Sequence, residues 1–198
     1  LKNAHHVEQN WVDDFCYMRE SVDWGVLTYT CHPFISGRGH RIMALERMIQ
    51  QHRPKLIYLV PTFGNPSGAM LSLERRRRVL ELAVQYQTLV IEDDPYGSLY
   101  FEDVTTPAET RPMKADDANG RVVYLSSFSK TLAPGFRVAW MVVPPVLAER
   151  FETAKQSMDL MCGILDQRIV HQAVVRGVID RQAAPLRRLY QARRDIMV

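Results

Sequence analysis

The sequence predicts an α/β domain built on a mostly parallel sheet flanked by helices. Two observations predict the class: short apolar runs rich in β-branched residues, and segments of helical apolar spacing that separate or follow them. A third observation directs attention to function. Asn65, Asp93 with Tyr96, and Ser127 to Lys130 each follow the carboxyl end of one such run, the position where ligands gather in sheets of this kind.

Taken in order, Leu1–Gly25 mixes His5, His6, Trp11, Cys16 and Trp24 without a clean period and reads loosely as helix. Pro33–Arg41, with Gly37 and Gly39, reads as loop. Met43–Gln51 is a predicted helix with Leu45, Met48 and Ile49 on one face. Lys55–Pro61 is a nearly continuous apolar run, as in a strand buried on both faces. Asn65-Pro66-Ser67-Gly68 carries turn chemistry. Ser72 is placed to cap a helix over Leu73–Tyr86. Thr88–Ile91, Arg121–Leu125 and Arg137–Pro144 complete the strands. Val146–Asp159, Asp166–Arg176 and the Arg-rich Ala184–Met197 read as helices.

Composition narrows the classes. The 198 residues are 46% hydrophobic and 24% charged, an ordinary globular balance that excludes disorder, collagen-like repeats and coiled coil. The formal charge of +3 is too mild to call for nucleic acid or an anionic membrane. Cys16, Cys31 and Cys162 are odd in number and widely spread, which fits a reducing cytoplasm rather than a disulfide scaffold. No run approaches the roughly twenty apolar residues of a membrane-spanning helix. Arg75–Arg78 point around most of a helix circumference, so they read as a solvated face, and Arg187, Arg188, Arg193 and Arg194 read likewise. His5, His6, His32, His40 and Cys31 lack metal-ligand spacing, so no metal is expected.

Lys130 carries the chemistry. It lies just past an apolar strand, where a desolvated amine becomes a nucleophile able to form a Schiff base with an aldehyde. Ser127, Ser129 and Arg137 flank it with hydroxyls and a guanidinium suited to a phosphate dianion. An aldehyde beside a phosphate suggests pyridoxal 5′-phosphate. Its pyridine nitrogen needs a carboxylate, for which Asp93 is the candidate, and its phenolic oxygen needs donors, which Asn65 and Tyr96 can supply.

The segments Asn65-Pro66-Ser67-Gly68, Glu92-Asp93-Asp94-Pro95-Tyr96, Ser127-Phe128-Ser129-Lys130 and Gly135-Phe136-Arg137 resemble the class I/II aminotransferases of pyridoxal phosphate fold type I. Within that family the chain looks most like the 2-aminoadipate and kynurenine aminotransferase branch, and like the similar domain of MocR-type regulators. The resemblance implies a large cofactor-binding domain, here apparently incomplete, and a cytoplasmic homodimeric transferase of amino-acid metabolism. It would transaminate amino acids with a 2-oxo acid, 2-oxoglutarate being the family-based acceptor. Lys130 would be the Schiff-base lysine and proton carrier, Asp93 the partner of the pyridine nitrogen, and Asn65 and Tyr96 the binders of the phenolic oxygen. Ser127, Ser129 and Arg137 would hold the phosphate.

The resemblance also sets domain expectations: an unclear N-terminal segment over 1–40, part of the cofactor-binding domain over 41–146, and helices over 147–198 leading toward a small C-terminal domain. The upstream aromatic that stacks on the ring and the downstream arginine for the substrate carboxylate are not identifiable, so the sequence reads as part of a longer chain. The alternative reading is an aminotransferase-like sensor domain of a MocR-type regulator, which would bind nucleic acid through an upstream DNA-binding domain. Ser127-Phe128-Ser129-Lys130 also satisfies the S-x-x-K pattern of penicillin-recognising enzymes, but the S-D-N and K-T-G that reading needs are missing.

Overall fold

A computed structural model describes Gln9, Asp13, Cys16 and Glu20 together with residues 39–159 and 161–197. The helical reading of Leu1–Gly25 otherwise lies outside the described residues, as do His5, His6, Cys31 and His32. The predicted loop over Pro33–Arg41 is described only at its end, and there the structure differs. Gly39, His40 and Arg41 already belong to helix α1, Gly39–His52.

Four strands follow: β1 Leu56–Leu59, β2 Leu89–Asp93, β3 Val122–Ser127 and β4 Ala139–Val142. They form one sheet in the order β1-β2-β3-β4. β1 and β2 are parallel, β2 and β3 are parallel, and β4 runs antiparallel along β3. β1 and β2 are joined through helix α2, Leu73–Gln85. Between β2 and β3 there is no α-helix, only irregular chain with a 3₁₀ turn at Met113–Asp116. Helices α3 Pro145–Asp159, α4 Ile164–Val175 and α5 Val178–Met197 complete the chain. Pro185 lies inside α5, which therefore starts earlier than the predicted Ala184.

The core lies between the sheet and α1 with α2. Val79 and Ala83 of α2 pack with Val90, Val122, Met113 and Leu71, while Leu82 packs with Ile49 and Ile57. Burying each large aliphatic side chain contributes about 1.5–3 kcal/mol. Ser72 accepts from Arg75 N at the start of α2, as predicted, and Glu74 sits in the first turn, where the helix dipole favours an acid.

The other sheet face is less covered. Leu56 and Tyr58 are exposed, so β1 is covered on one face only among the described residues, contrary to the expectation from its continuous apolar run. Met141 of β4, paired with Leu125, is exposed on this face too, and Trp140 and Val142 are exposed on the α2 face, although the Trp140 ring meets Tyr124 at 5.2 Å.

The arginine runs also depart from a simple solvated face. Arg77 is exposed and Arg78 pairs with Glu81 and Glu46, but Arg76 is buried, because four consecutive positions must send one side chain inward. In α5, Arg187 and Arg194 fall seven apart on one face and dock the helix on the chain after β2. Arg187 donates to Ser98 O at 2.9 Å and stacks over Tyr100, while Arg194 pairs with Asp103 and lies over Phe101. Arg188 and Arg193 remain exposed. No helix among the described residues is long and apolar enough to cross a membrane.

Candidate functional site

Every sequence-predicted site residue is described, and all follow or end β1, β2 or β3. Pairing fixes their facing. Asp93 opposes Leu125 on β3, and Ser127, two residues on, points to the same sheet face because side chains alternate with period two. Asp93 and Ser127 thus project together on the face away from α2. Both are half-buried.

Asn65 is exposed in the turn after β1. The turn is held shut by Gly68 N donating to Gly64 O at 2.7 Å, Gly64 N to Ala69 O at 3.1 Å, and Ser67 Oγ to Gly64 O at 3.1 Å. Gly68 takes φ +65, a left-handed conformation that suits glycine.

After β2 the chain turns sharply. Asp94 is 4% exposed and accepts from Gly97 N at 2.9 Å and from Tyr124 Oη at 3.0 Å, while its own carbonyl accepts from Ser126 Oγ at 2.8 Å. Burial pushes the Asp94 carboxyl up, against the Tyr124 and Gly97 donors that pull it down. This network ties the Asp93–Tyr96 turn to β3. Asp93 itself accepts from Tyr58 Oη at 2.5 Å. Burial and the Asp93 carboxylate together push the Tyr58 phenol up to about 12.

Lys130 sits in the turn after β3 with its Nζ 5.8 Å from the centroid of the Tyr96 ring. It is exposed, not desolvated as its position after an apolar strand suggested, because the chain leaves the sheet at Ser127 and turns outward. Leu132 N and Ala133 N both donate to Phe128 O, which fixes that turn. Ser129 is half-buried within it. Arg137 caps the 3₁₀ turn Pro134–Phe136 at φ 51 and is exposed, with Nη1 3.4 Å from Pro134 O. Phe128 N donates to Val138 O, which brings the residues after Ser127 beside those after Arg137.

The donor set fits pyridoxal phosphate by its chemistry: an exposed amine beside a phenol ring, a carboxylate anchored on the same sheet face as a hydroxyl, and a guanidinium across the next turn. Sequence reasoning missed three residues that shape this region. Tyr58 was detectable as a polar-tipped aromatic inside an aliphatic strand. Asp94 was legible only as part of a turn, and Arg76 gave no local signal, since their burial comes from long-range packing.

The chain is similar to known proteins. The family model for aminotransferase class I and II matches residues 20–198. The solved structure of Pyrococcus horikoshii kynurenine aminotransferase in complex with PMP superposes with a TM-score of 0.75 at 40% identity, covering 81% of this chain and 40% of that one. The 2-aminoadipate transaminase of Thermus thermophilus is 36% identical over 160 residues, 81% of this chain and 40% of that protein. An HTH-type transcriptional regulator of Bacillus subtilis, YisV, is 34% identical over 149 residues, 75% of this chain and 30% of its own length. The chain therefore spans less than half the length of the relatives it matches.

Proposed function

The chain belongs to the class I and II aminotransferases, and from that premise we propose that it serves pyridoxal-phosphate-dependent transamination of amino acids with a 2-oxo acid, 2-oxoglutarate being the acceptor. The observation that most supports this reading is the shared sheet face of Asp93 and Ser127, with Lys130 beside Tyr96 at its edge. The PMP complex of the kynurenine aminotransferase supports the cofactor.

Pyridoxal phosphate, when bound, supplies an aldehyde that captures amines and a cationic ring that draws electron density from the substrate's α-carbon. Lys130 Nζ would hold the aldehyde end until an incoming amine takes its place there, and the freed Nζ would then carry the proton that leaves the α-carbon. Asp93 holds the proton on the ring nitrogen by opposing its charge. Asn65 and Tyr96 donate to the phenolic oxygen. Ser127 and Ser129 offer hydroxyls, and Arg137 a forked guanidinium, to the phosphate dianion.

In this reading residues 41–146 are part of the cofactor-binding domain and the helices over 147–198 lead toward a small C-terminal domain. The working form is a cytoplasmic homodimer. Free thiols at Cys16 and Cys162 support a reducing compartment, and the exposed apolar side chains of β4 support burial against further protein. The test uses the full-length protein: a visible cofactor band bleached by amino donors, and borohydride reduction followed by peptide mass mapping. A phosphopyridoxyl group on Lys130 is the expected result, and its absence overturns the proposal.

The likeness to YisV favours a second reading, a sensor domain in a MocR-type regulator. A DNA-binding domain upstream in the same reading frame, with no turnover of any amino donor, would establish it in place of the enzyme.

A further inference from the structure

Tyr58 has no part in the residue set above, yet it makes the closest side-chain contact with it. In the parallel pairing of β1 with β2, Tyr58 is in register with Ile91, so its side chain projects on the same face as Ile91 and Asp93. Its Oη lies 2.5 Å from Asp93 Oδ2, within the range of a charge-assisted hydrogen bond. The ring is 42% exposed, so it does not fill the core. The neighbouring carboxylates have other partners. Asp94 accepts from Tyr124 and Gly97, and Glu92 accepts from the backbone of Met113 and Lys114. The phenol holds its proton at neutral pH, so it stays a donor.

We propose that Tyr58 is a positioning residue for the reaction: its phenol fixes the Asp93 carboxylate through Oδ2 and leaves Oδ1 to the pyridine nitrogen of the cofactor. This rests on the transaminase reading. A carboxylate with one oxygen tied down has one orientation to offer. Without the phenol, Asp93 has freedom to rotate away from the ring, weakening cofactor binding and the ring's electron withdrawal. Because Tyr58 acts through Asp93 and does not touch substrate, the amino donor's KM stays where it is while kcat falls.

The experiment is a double-mutant cycle on the full-length protein with Tyr58→Phe, Asp93→Asn and the double variant. Its readouts are the dissociation constant of pyridoxal phosphate and the kcat and KM of one amino donor. Tyr58→Phe keeps the ring, and a thermal melt of each cofactor-free variant checks that it folds. The expected result is about a tenfold rise in the cofactor dissociation constant in the native background, the size of one hydrogen bond to a charged group, with no further rise on top of Asp93→Asn. Equal effects in both backgrounds, or none in either, overturn the proposal while leaving the transaminase reading intact. Failure of the unmutated protein to bind pyridoxal phosphate overturns both. A shift in KM with kcat unchanged also overturns it, since that would mean contact with substrate.

Discussion

Arg76 Nη2 donates to Thr62 Oγ1 at 2.9 Å, within the loop that carries Asn65. The same guanidinium reaches Pro61 O at 3.1 Å, Leu71 O at 2.8 Å and Arg111 O at 3.0 Å. Pro61 and Leu71 are the two ends of that loop and are themselves bonded, Leu71 N to Pro61 O at 2.8 Å. One buried cation therefore closes the neck of the loop and ties it to the chain before β3. Burial pulls the guanidinium's pKa down, and the charges of Glu92 and Asp94 oppose that pull.

Replacing Arg76 by leucine leaves Leu71 O and Thr62 Oγ1 without this donor in a buried setting, while Pro61 O keeps Leu71 N and Arg111 O lies nearer the surface. Each unsatisfied buried acceptor costs about 1–3 kcal/mol, and the losses are not additive, so a loss of about 3 kcal/mol or more is expected in denaturant unfolding followed by circular dichroism. Arg76→Lys can serve only part of the set, because an ammonium lacks the planar fork, and its stability should fall between the two. A leucine variant as stable as the unmutated protein would mean that the loop is closed by its own backbone bonds.

Glu92 predicts a pH dependence. It is 0% exposed, accepts from Met113 N at 2.7 Å and Lys114 N at 2.8 Å, and so anchors the 3₁₀ turn before β3. Burial raises its carboxyl from 4.5 to about 6, outweighing those two donors and Arg76, while Asp94 adds to the rise. The folded state thus holds the proton more tightly than the unfolded chain. This contribution is fully present below pH 4.5 and is lost as pH rises through about 6. Its size is about 2 kcal/mol. Comparing unfolding midpoints across this interval should show a slope in the unmutated protein and a flatter one in Glu92→Gln.

Much of this arrangement was legible in the sequence. The β-branched runs marked all four strands, and the polar residues after them marked the site, because strand alternation and turn chemistry are local signals. Ser72 was recognisable as a cap for the same reason. What depends on distant packing was not legible. Arg76 sits among three other arginines with nothing in the spacing to say which one turns inward, and only the neck of the Asn65 loop decides it. The covering of β1 was misread because an apolar run reports what a strand would bury, not what lies against it. Lys130 was placed correctly after β3, but its exposure follows from the path of the turn, which no residue pattern fixed.

The cap at Ser72 supports a smaller prediction. Its hydroxyl accepts from Arg75 N at 3.5 Å, a long contact, so Ser72→Ala should cost about 0.5–1 kcal/mol, near the low end for such caps. The cofactor dissociation constant should not change, since the cap lies beyond the bonded neck of the Asn65 loop. Thermal melts with and without pyridoxal phosphate separate the two effects.

Arg137 should show stability and binding moving in opposite directions. It holds φ 51, a left-handed conformation that costs a residue with a Cβ about 1 kcal/mol and costs glycine almost nothing. Its only side-chain bond among the described residues is a long one to Pro134 O, so its removal leaves little in the fold unpaired. Arg137→Gly should therefore raise the stability of the cofactor-free protein, offset in part by the greater freedom glycine gives the unfolded chain. The same change removes the guanidinium assigned to the phosphate, and the dissociation constant of pyridoxal phosphate should rise about tenfold or more. Inorganic phosphate should then compete with the cofactor less effectively than it does in the unmutated protein. A glycine variant that gains stability and binds the cofactor as before would place the phosphate elsewhere, away from Arg137.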